Sequence, residues 1–212
     1  MTPMYYQLYR LKQRLRSIAR AISDWALFIG VVLIGGIGSH WYMVQSGSAF
    51  SVTRVGPWES WANAARQNSD PYTRAHFARL GILPMSADIS RTYVARHDSD
   101  DGELYSSCDY TLEGHDFAVR WWSITVFDGD GALIPNPASR HAFTRDTVAI
   151  TPDGRFVISL ARDARPGNWL PTGGAGRLTI MLVLQDGNVS IAESRRQRDE
   201  DALPKITKVK CR

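Results

Sequence analysis

The apolar positions of the chain follow a helical pattern near the N-terminus and a strand pattern after residue 84. Trp25 to Val44 form a run of twenty residues without Asp, Glu, Lys or Arg. At about 1.5 Å per residue, a helix of this length spans about 30 Å, the thickness of a bilayer core. We therefore predict a transmembrane helix at 25–44. A cleavable signal peptide is the alternative, although its apolar region is usually only about 7–15 residues long.

Residues 1–24, ahead of this run, have apolar side chains at spacings of three and four, with cations between them. This pattern predicts a basic amphipathic helix lying on the anionic cytoplasmic leaflet. A coiled-coil seam for a partner helix is the alternative. Because the cations precede the span, the N-terminus is expected in the cytoplasm. In a bacterium this predicts a single-pass inner-membrane protein whose C-terminal domain is periplasmic.

The segment 45–84 has helical features and is predicted to be a linker region with two short helices. Pro57 suits the first turn of one helix, and the residues after it offer one apolar face. Asp70 is a predicted N-cap for the second helix, which should end at Gly81.

From residue 85 onward, short β-rich runs alternate with Gly, Asp and Pro turn signals. Strands without intervening helices predict a mainly β domain at 85–212, a jelly-roll-like antiparallel β-sandwich. The run Val119–Phe127 has bulky residues at successive positions, which predicts a central strand covered on both faces. The mixed charges of 193–201 predict a solvated loop. The predicted strands lie near 90–96, 104–111, 117–127, 147–151, 155–161, 177–185 and 206–210.

Composition and charge narrow the class of protein. Hydrophobic residues make up 44% of the 212-residue chain and charged residues 22%, which is typical of a globular protein. The net charge of +4 comes from 25 Lys and Arg against 21 Asp and Glu. Residues 1–24 contribute five cations and one anion, so the remainder balances at 20 against 20. A neutral domain argues against nucleic-acid binding.

Two cysteines, Cys108 and Cys211, are present. A periplasmic location permits a disulfide, and an even count with no other thiol favours their pairing. Metal binding is the alternative, but no C-x-x-C or paired histidine accompanies either residue.

Motifs of known chemistry are missing from the sequence. It has no G-x-S-x-G, P-loop, H-E-x-x-H or strand-linked dinucleotide fingerprint. No pattern positions a nucleophile beside a base, so catalysis is uncertain and not favoured. We expect no cofactor and no metal.

One set of residues is a candidate ligand site, because Asn and Arg offer directional hydrogen bonds and Trp offers flat apolar surface. Such a site would suit a sugar, a peptide or a fragment of an envelope polymer. The structural alternative is that Asn168 binds loop backbone while Trp169 plugs one end of the sandwich. The set comprises Trp122, Asn136, Arg140, Asn168 and Trp169.

Several of these residues belong to an ordered series of motifs that resembles the bacterial family known as domain of unknown function 1214. The motifs are Asp70-Pro71-Tyr72-Thr73-Arg74-Ala75, Ser107-Cys108-Asp109-Tyr110, Arg120-Trp121-Trp122-Ser123-Ile124-Thr125, Asp130-Gly131, Asn136, Arg140 and Pro166-Gly167-Asn168-Trp169-Leu170-Pro171.

The resemblance covers about residues 57–185. It implies a jelly-roll-like sandwich, often fused behind or encoded beside a second domain of unknown function, numbered 1254. Small members with one N-terminal membrane helix resemble this chain. Two departures put any shared site in doubt: Leu182-Val183-Leu184 replaces an Arg-Leu-Tyr run, and His141 replaces a tyrosine after the motif arginine.

Three functions follow as hypotheses. The favoured one is a membrane-anchored periplasmic interaction module that assembles with another envelope protein, for which the resemblance suggests a member of the 1254 family. The alternatives are a domain that binds an envelope sugar or polymer and, with less support, a hydrolase or lyase.

Overall fold

The computed structural model describes residues 3–46, 51–117, 119–185 and 203–212, and it divides the chain into two compact units, 1–47 and 48–212. In the first unit, α1 (Pro3–Ser46) joins the basic amphipathic region and the apolar run in one continuous helix. Its candidate span lies within Lys12–Gln45, where the most apolar window has a mean hydropathy of 1.9 and no buried residue. The helix is therefore long and apolar enough to cross a membrane.

The second unit is mainly β, as predicted. Its described strands form a six-stranded sheet in the order β1-β2-β3-β9-β5-β6 and a four-stranded sheet in the order β10-β4-β7-β8. The pairs are antiparallel except for β7 and β8, which are parallel. The elements are β1 Val52–Val55, β2 Trp58–Trp61, α2 Pro71–Leu80, β3 Ser90–Ala95, β4 Cys108–His115, β5 Trp121–Asp128, β6 Ala142–Thr144, β7 Arg155–Ala161, β8 Asn168–Pro171, β9 Leu178–Gln185 and β10 Lys205–Cys211.

The inner faces of the two sheets share one hydrophobic core. Trp122 of β5 and Phe156 of β7 stack across it, with ring centroids 5.1 Å apart. Phe117 meets Trp122 edge-on at 5.3 Å. Since neither sheet can bury its apolar side chains alone, this shared core holds the sandwich together.

The first of the two predicted short helices is wrong. Gly56, with φ of +54°, reverses the chain so that β1 and β2 pair as a hairpin, with Val55 opposite Trp58. Trp58 is then only 1% exposed, and its indole N–H donates to the carbonyl of Pro204 at 2.8 Å. Burial of this large side chain favours the strand over the helix.

The second predicted helix is confirmed as α2. The Asp70 carboxylate caps it by accepting from the backbone N–H groups of Tyr72 and Thr73, each at 3.0 Å. Gly81 ends it in the left-handed conformation, with φ of +65°. These are the signals that the sequence offered.

Other strand predictions need correction. Residues 147–151 form no strand and make a single bridge, from Ile150 to Phe156. The strand predicted at 104–111 begins at Cys108, and the short strands β1, β6 and β8 were not predicted. The loop predicted at 193–201 lies outside the described residues.

A disulfide joins Cys108 of β4 to Cys211 of β10. The two residues face each other across the antiparallel pair, so their Cα atoms lie 3.9 Å apart. The bond ties β10, an edge strand of the four-stranded sheet, to its neighbour β4.

Candidate functional site

Trp122, the first of the five candidate residues, lies inside the sandwich. Its side chain is 0% exposed, and its indole N–H donates to the Asp116 carboxylate at 2.8 Å. Arg145 holds the same carboxylate, at 3.5 Å, and also donates to the carbonyl of Val119. Trp122 therefore has no surface to offer a ligand, and its polar atom is already satisfied.

Asn168, at the start of β8, uses its whole side chain to bind backbone. Its Oδ1 accepts from the N–H of Ala149 at 2.8 Å, and its Nδ2 donates to the carbonyls of Ala149 and Val157 at 2.9 and 3.0 Å. The residue is 9% exposed. These three bonds join the loop before β7 to β8, and they favour the structural alternative for Asn168.

Trp169 and Arg140 meet through one polar contact. Trp169 is half-buried, and its indole N–H donates to the carbonyl of Ala161 at 3.0 Å. The Arg140 guanidinium donates to the Trp169 carbonyl at 3.4 Å and lies 5.7 Å from the centroid of the Phe143 ring. Arg140 itself is exposed, so the contact joins a surface loop to the edge strand β8.

Asn136 organises the loop that carries Arg140. Its Oδ1 accepts from the backbone N–H of Arg140 at 3.0 Å, while its Nδ2 donates to the carbonyls of Ile134 and Arg140. The same Nδ2 lies 3.3 Å from Nδ1 of His141. Asn136, Arg140 and Trp169 are thus linked mainly through backbone groups, while the Arg140 side chain stays exposed at the surface.

Shifted pKa values fall at scattered positions. At Asp70 burial acts to raise the pKa, but hydrogen bonds from Thr73, Ser51 and Tyr72 outweigh it and hold the pKa below its ordinary value. Burial raises the pKa of Tyr110, whose hydroxyl oxygen accepts from the N–H of Tyr105. These groups lie in a helix cap and in the core, so they serve folding rather than proton transfer.

Acidic residues do not assemble into a metal centre in the part of the chain that the structure describes. The buried Asp98 instead organises the turn at 98–102, where its Oδ1 accepts from the N–H groups of Asp100 and Gly102 at 3.0 and 2.8 Å. Lys208 of β10 approaches its Oδ2 at 3.7 Å. This contact neutralises the buried carboxylate.

A cleft of about 820 Å³ lies where the β1–β2 turn meets β4, β7 and the start of β10. Its wall combines apolar residues with the polar side chains of Glu113, His115, Arg155 and Lys205. No sequence motif marks this cleft, because its walls come from segments far apart in the chain.

The outer face of the six-stranded sheet is a second feature that the five candidates do not include. Tyr93, Ile124 and Leu182 point into the core, so their neighbours in sequence point outward. Cross-strand pairing places Val94 opposite Met181 and Met181 opposite Thr125. The half-buried apolar side chains of this outer face are Trp61, Val94, Trp121, Phe127, Met181 and Val183. The prediction that the bulky run at 119–127 is covered on both faces holds only for its inward side chains, because Trp121 and Phe127 on the outer face are half-buried.

Known proteins resemble the β-rich region. The family described as "Protein of unknown function (DUF1214)" matches residues 90–201. No curated protein matches the chain.

Two crystal structures are similar. The VPA0106 protein from Vibrio parahaemolyticus has a TM-score of 0.54 and 21% identity, over 68% of this chain and 36% of that one. An uncharacterised protein from Burkholderia cenocepacia has a TM-score of 0.40 and 20% identity, over 58% of this chain and 30% of that one. The chain thus spans about a third of the length of these proteins. The Vibrio structure supports the fold alone.

Proposed function

Since the chain belongs to the DUF1214 family, whose description assigns no reaction, we propose its function from its surfaces: it is a membrane-anchored periplasmic interaction module that assembles with another envelope protein. The observation that carries this proposal is the apolar outer face of the six-stranded sheet. An antiparallel sheet with one solvated face normally alternates apolar and polar side chains. Here β5 and β9 place Trp121, Phe127, Met181 and Val183 on the face away from the core.

The chemistry of this face suits a protein partner. Aromatic residues and Met are enriched in the centres of protein interfaces, where charged residues are depleted. The outward positions Ser123, Thr125 and Thr179 lie among the apolar side chains and are uncharged. A partner with an apolar surface of matching shape would bury this face. A protein of the 1254 family is the candidate that the family resemblance suggests.

The proposed location rests on the charges around the apolar helix. The five cations of residues 1–24 precede the candidate span, which favours a cytoplasmic N-terminus. The Cys108–Cys211 disulfide suits an oxidising compartment on the other side of the membrane. Alkaline phosphatase fused after Arg212 should then be active in cells, while the same enzyme fused before the span should be inactive. The opposite pattern would contradict the periplasmic location.

Site-specific photocrosslinking tests the interaction. A photoreactive residue at Met181 of the full chain, expressed in its native membrane, should capture a partner that mass spectrometry identifies. The matched control is the same residue at Val157, which is exposed on the outer face of the four-stranded sheet. Capture of the same protein at both positions, or of none at Met181, would contradict the proposed face.

The alternative function, binding of an envelope sugar or polymer, is favoured by the cleft of about 820 Å³ with its polar wall. Binding there should be lost in Arg155→Ala and kept in Trp169→Ala, because Trp169 does not line the cleft. Isothermal titration with envelope oligosaccharides would measure this difference. A hydrolase or lyase has less support, since Glu113 is the one carboxylate among the described residues of the cleft wall.

A further inference from the structure

A separate apolar surface follows α2, in the stretch 80–89, which we call the apolar segment. Leu83 is 96% exposed, the highest value among the exposed large hydrophobic residues, and four others expose about half of their surface: Leu80, Ile82, Met85 and Ile89. Single exposed apolar residues are common on soluble proteins, but five within ten positions mark a contact surface.

Both ends of the apolar segment are held to the domain. At one end Gly81 closes α2, and the N–H of Ile82 donates to the carbonyl of Phe77 at 3.2 Å. At the other end the N–H of Ala87 donates to the carbonyl of Ala64 at 2.9 Å, and the neighbouring Asp88 forms an ion pair with Arg66 at 2.9 Å. The residues between these ends therefore project from a fixed base.

That base lies beside Ser51, the first described residue of the second unit. The carbonyl of Ser51 accepts from the N–H of Ala62 at 3.0 Å, two residues before Ala64. The Ser51 hydroxyl donates to the capping carboxylate of Asp70 at 3.3 Å. Since the ten residues of α2 rise about 15 Å, the apolar segment starts about one short helix away from Ser51.

Ser51 also follows the end of the candidate membrane helix closely in sequence. Only residues 47–50 separate it from Ser46, the last residue of α1. This linker is therefore no longer than about 18 Å even when fully extended. The chain thus tethers the domain that carries the apolar segment to the candidate span through a short linker.

Resting on the proposed membrane anchoring by α1, we propose that the apolar segment inserts into a lipid leaflet. Transfer of Leu, Ile and Met side chains from water to the acyl boundary lowers the free energy, as in other peripheral membrane contacts. The charges around the segment suit anionic headgroups: residues 66–91 carry four Arg and two Asp. Asp70 caps α2, and Asp88 and Arg66 pair with each other, so the stretch keeps a net charge of +2 (four Arg minus two Asp).

An environment-sensitive fluorophore on Leu83→Cys tests the insertion, with the full chain in lipid nanodiscs. The native cysteines are paired in the disulfide, so the label reaches only the new thiol. The expected result is blue-shifted emission that spin labels on the lipid acyl chains quench. Val157→Cys, labelled in the same way, is the matched control and should show neither effect.

The outcomes separate lipid from protein. Water-like emission without quenching at Leu83 would overturn the proposal. Blue-shifted emission without lipid quenching would also overturn it, and would indicate that a second copy or another protein covers the segment. Quenching that is weaker in neutral than in anionic nanodiscs would support the role of the arginines.

A second variant guards against an effect of the label. With the fluorophore moved to Met85→Cys, the additional change Leu83→Asp should abolish quenching, while the circular dichroism spectrum stays unchanged because Leu83 has almost no buried surface. Unchanged quenching in this variant would contradict the insertion. Crosslinking at Met181 reports on a different face, so it can fail or succeed independently of this result.

Discussion

The outer faces of the two sheets differ, although their inner faces share one core. The four-stranded sheet presents a mainly polar outer face, on which register places Thr207, Thr111, Ser159 and Trp169 side by side across β10, β4, β7 and β8. The corresponding face of the six-stranded sheet carries large apolar side chains on β3, β5 and β9.

This contrast shows which surfaces serve folding alone. A polar outer face can remain in water at little cost, whereas covering an apolar face lowers the free energy. The four-stranded sheet is also fastened internally, by the disulfide at its β10 edge and by Asn168 at β8. We therefore expect the four-stranded sheet to contribute mainly to stability, and the proposed partner contact remains a proposal for the outer face of the six-stranded sheet.

The largest expected effect compares two neighbouring tryptophans of β5. Trp122→Ala should cost about 3–5 kcal/mol of unfolding free energy, because it empties a fully buried site. Trp121→Ala, on the outer face, should cost less than half as much, because Trp121 is only half-buried. Urea denaturation of the full chain in detergent, followed by circular dichroism, measures both. Equal losses of unfolding free energy would mean that Trp121 is buried as completely as Trp122.

The disulfide provides the next test, at the edge of the four-stranded sheet. Replacing both cysteines by serine should lower stability by about 2–4 kcal/mol, since the bond closes a long loop in the unfolded chain. The separation of the two cysteines is 103 residues. Wild-type protein treated with a reductant should unfold at the same urea concentration as the double variant. Unchanged stability in either sample would contradict a role in holding β10.

Asn168→Ala should destabilise the protein by about 1–3 kcal/mol, because it removes the three hydrogen bonds that the buried Asn168 side chain makes to backbone groups of Ala149 and Val157. Asn136→Ala is the matched control in an exposed loop and should cost about 0.5–1.5 kcal/mol. If Asn168→Ala instead folds with wild-type stability and loses binding of a ligand, the hypothesis that Asn168 is a ligand-binding residue is correct.

Asp70→Ala should cost about 0.5–2 kcal/mol at neutral pH through loss of the α2 cap. The folded-state pKa of Asp70 lies below its ordinary value, so the carboxylate stabilises the fold above about pH 4 and this contribution is lost as the pH falls through the folded pKa. Denaturation curves of both proteins should therefore converge in acid. A difference that persists at the lowest pH would show that the carboxylate charge is not the source.

The smallest effect on stability is expected at Val157→Lys, within about 0.5 kcal/mol, because it adds a charge to a face that is already polar and exposed. Met181→Lys should abolish capture of a partner by a photoreactive residue at the neighbouring position Val94, whereas Val157→Lys should leave that capture intact. Loss of capture in both variants would contradict the proposed difference between the two faces.

Local sequence patterns determine several features of this protein without any tertiary contact. The apolar run predicts the long helix, because a membrane-spanning segment needs only length and composition. The Asp70 cap and the Gly81 terminus of α2 depend on hydrogen bonds within a few residues, so their signals lie next to each other in sequence. The longer strands β3, β7, β9 and β10 were also predicted from local patterns, and the even number of cysteines predicted the disulfide.

Tertiary structure decided the rest, because the deciding contacts join distant segments. The spacing of Trp58 and Trp61 suits a helical face as well as a hairpin, and the bond from Trp58 to Pro204 spans 146 residues. The roles of Trp122 and Asn168 depend on Asp116, Ala149 and Val157, which no motif names. Residue type shows that a side chain can bind a ligand, but only the fold shows whether its polar atoms are already occupied by the protein.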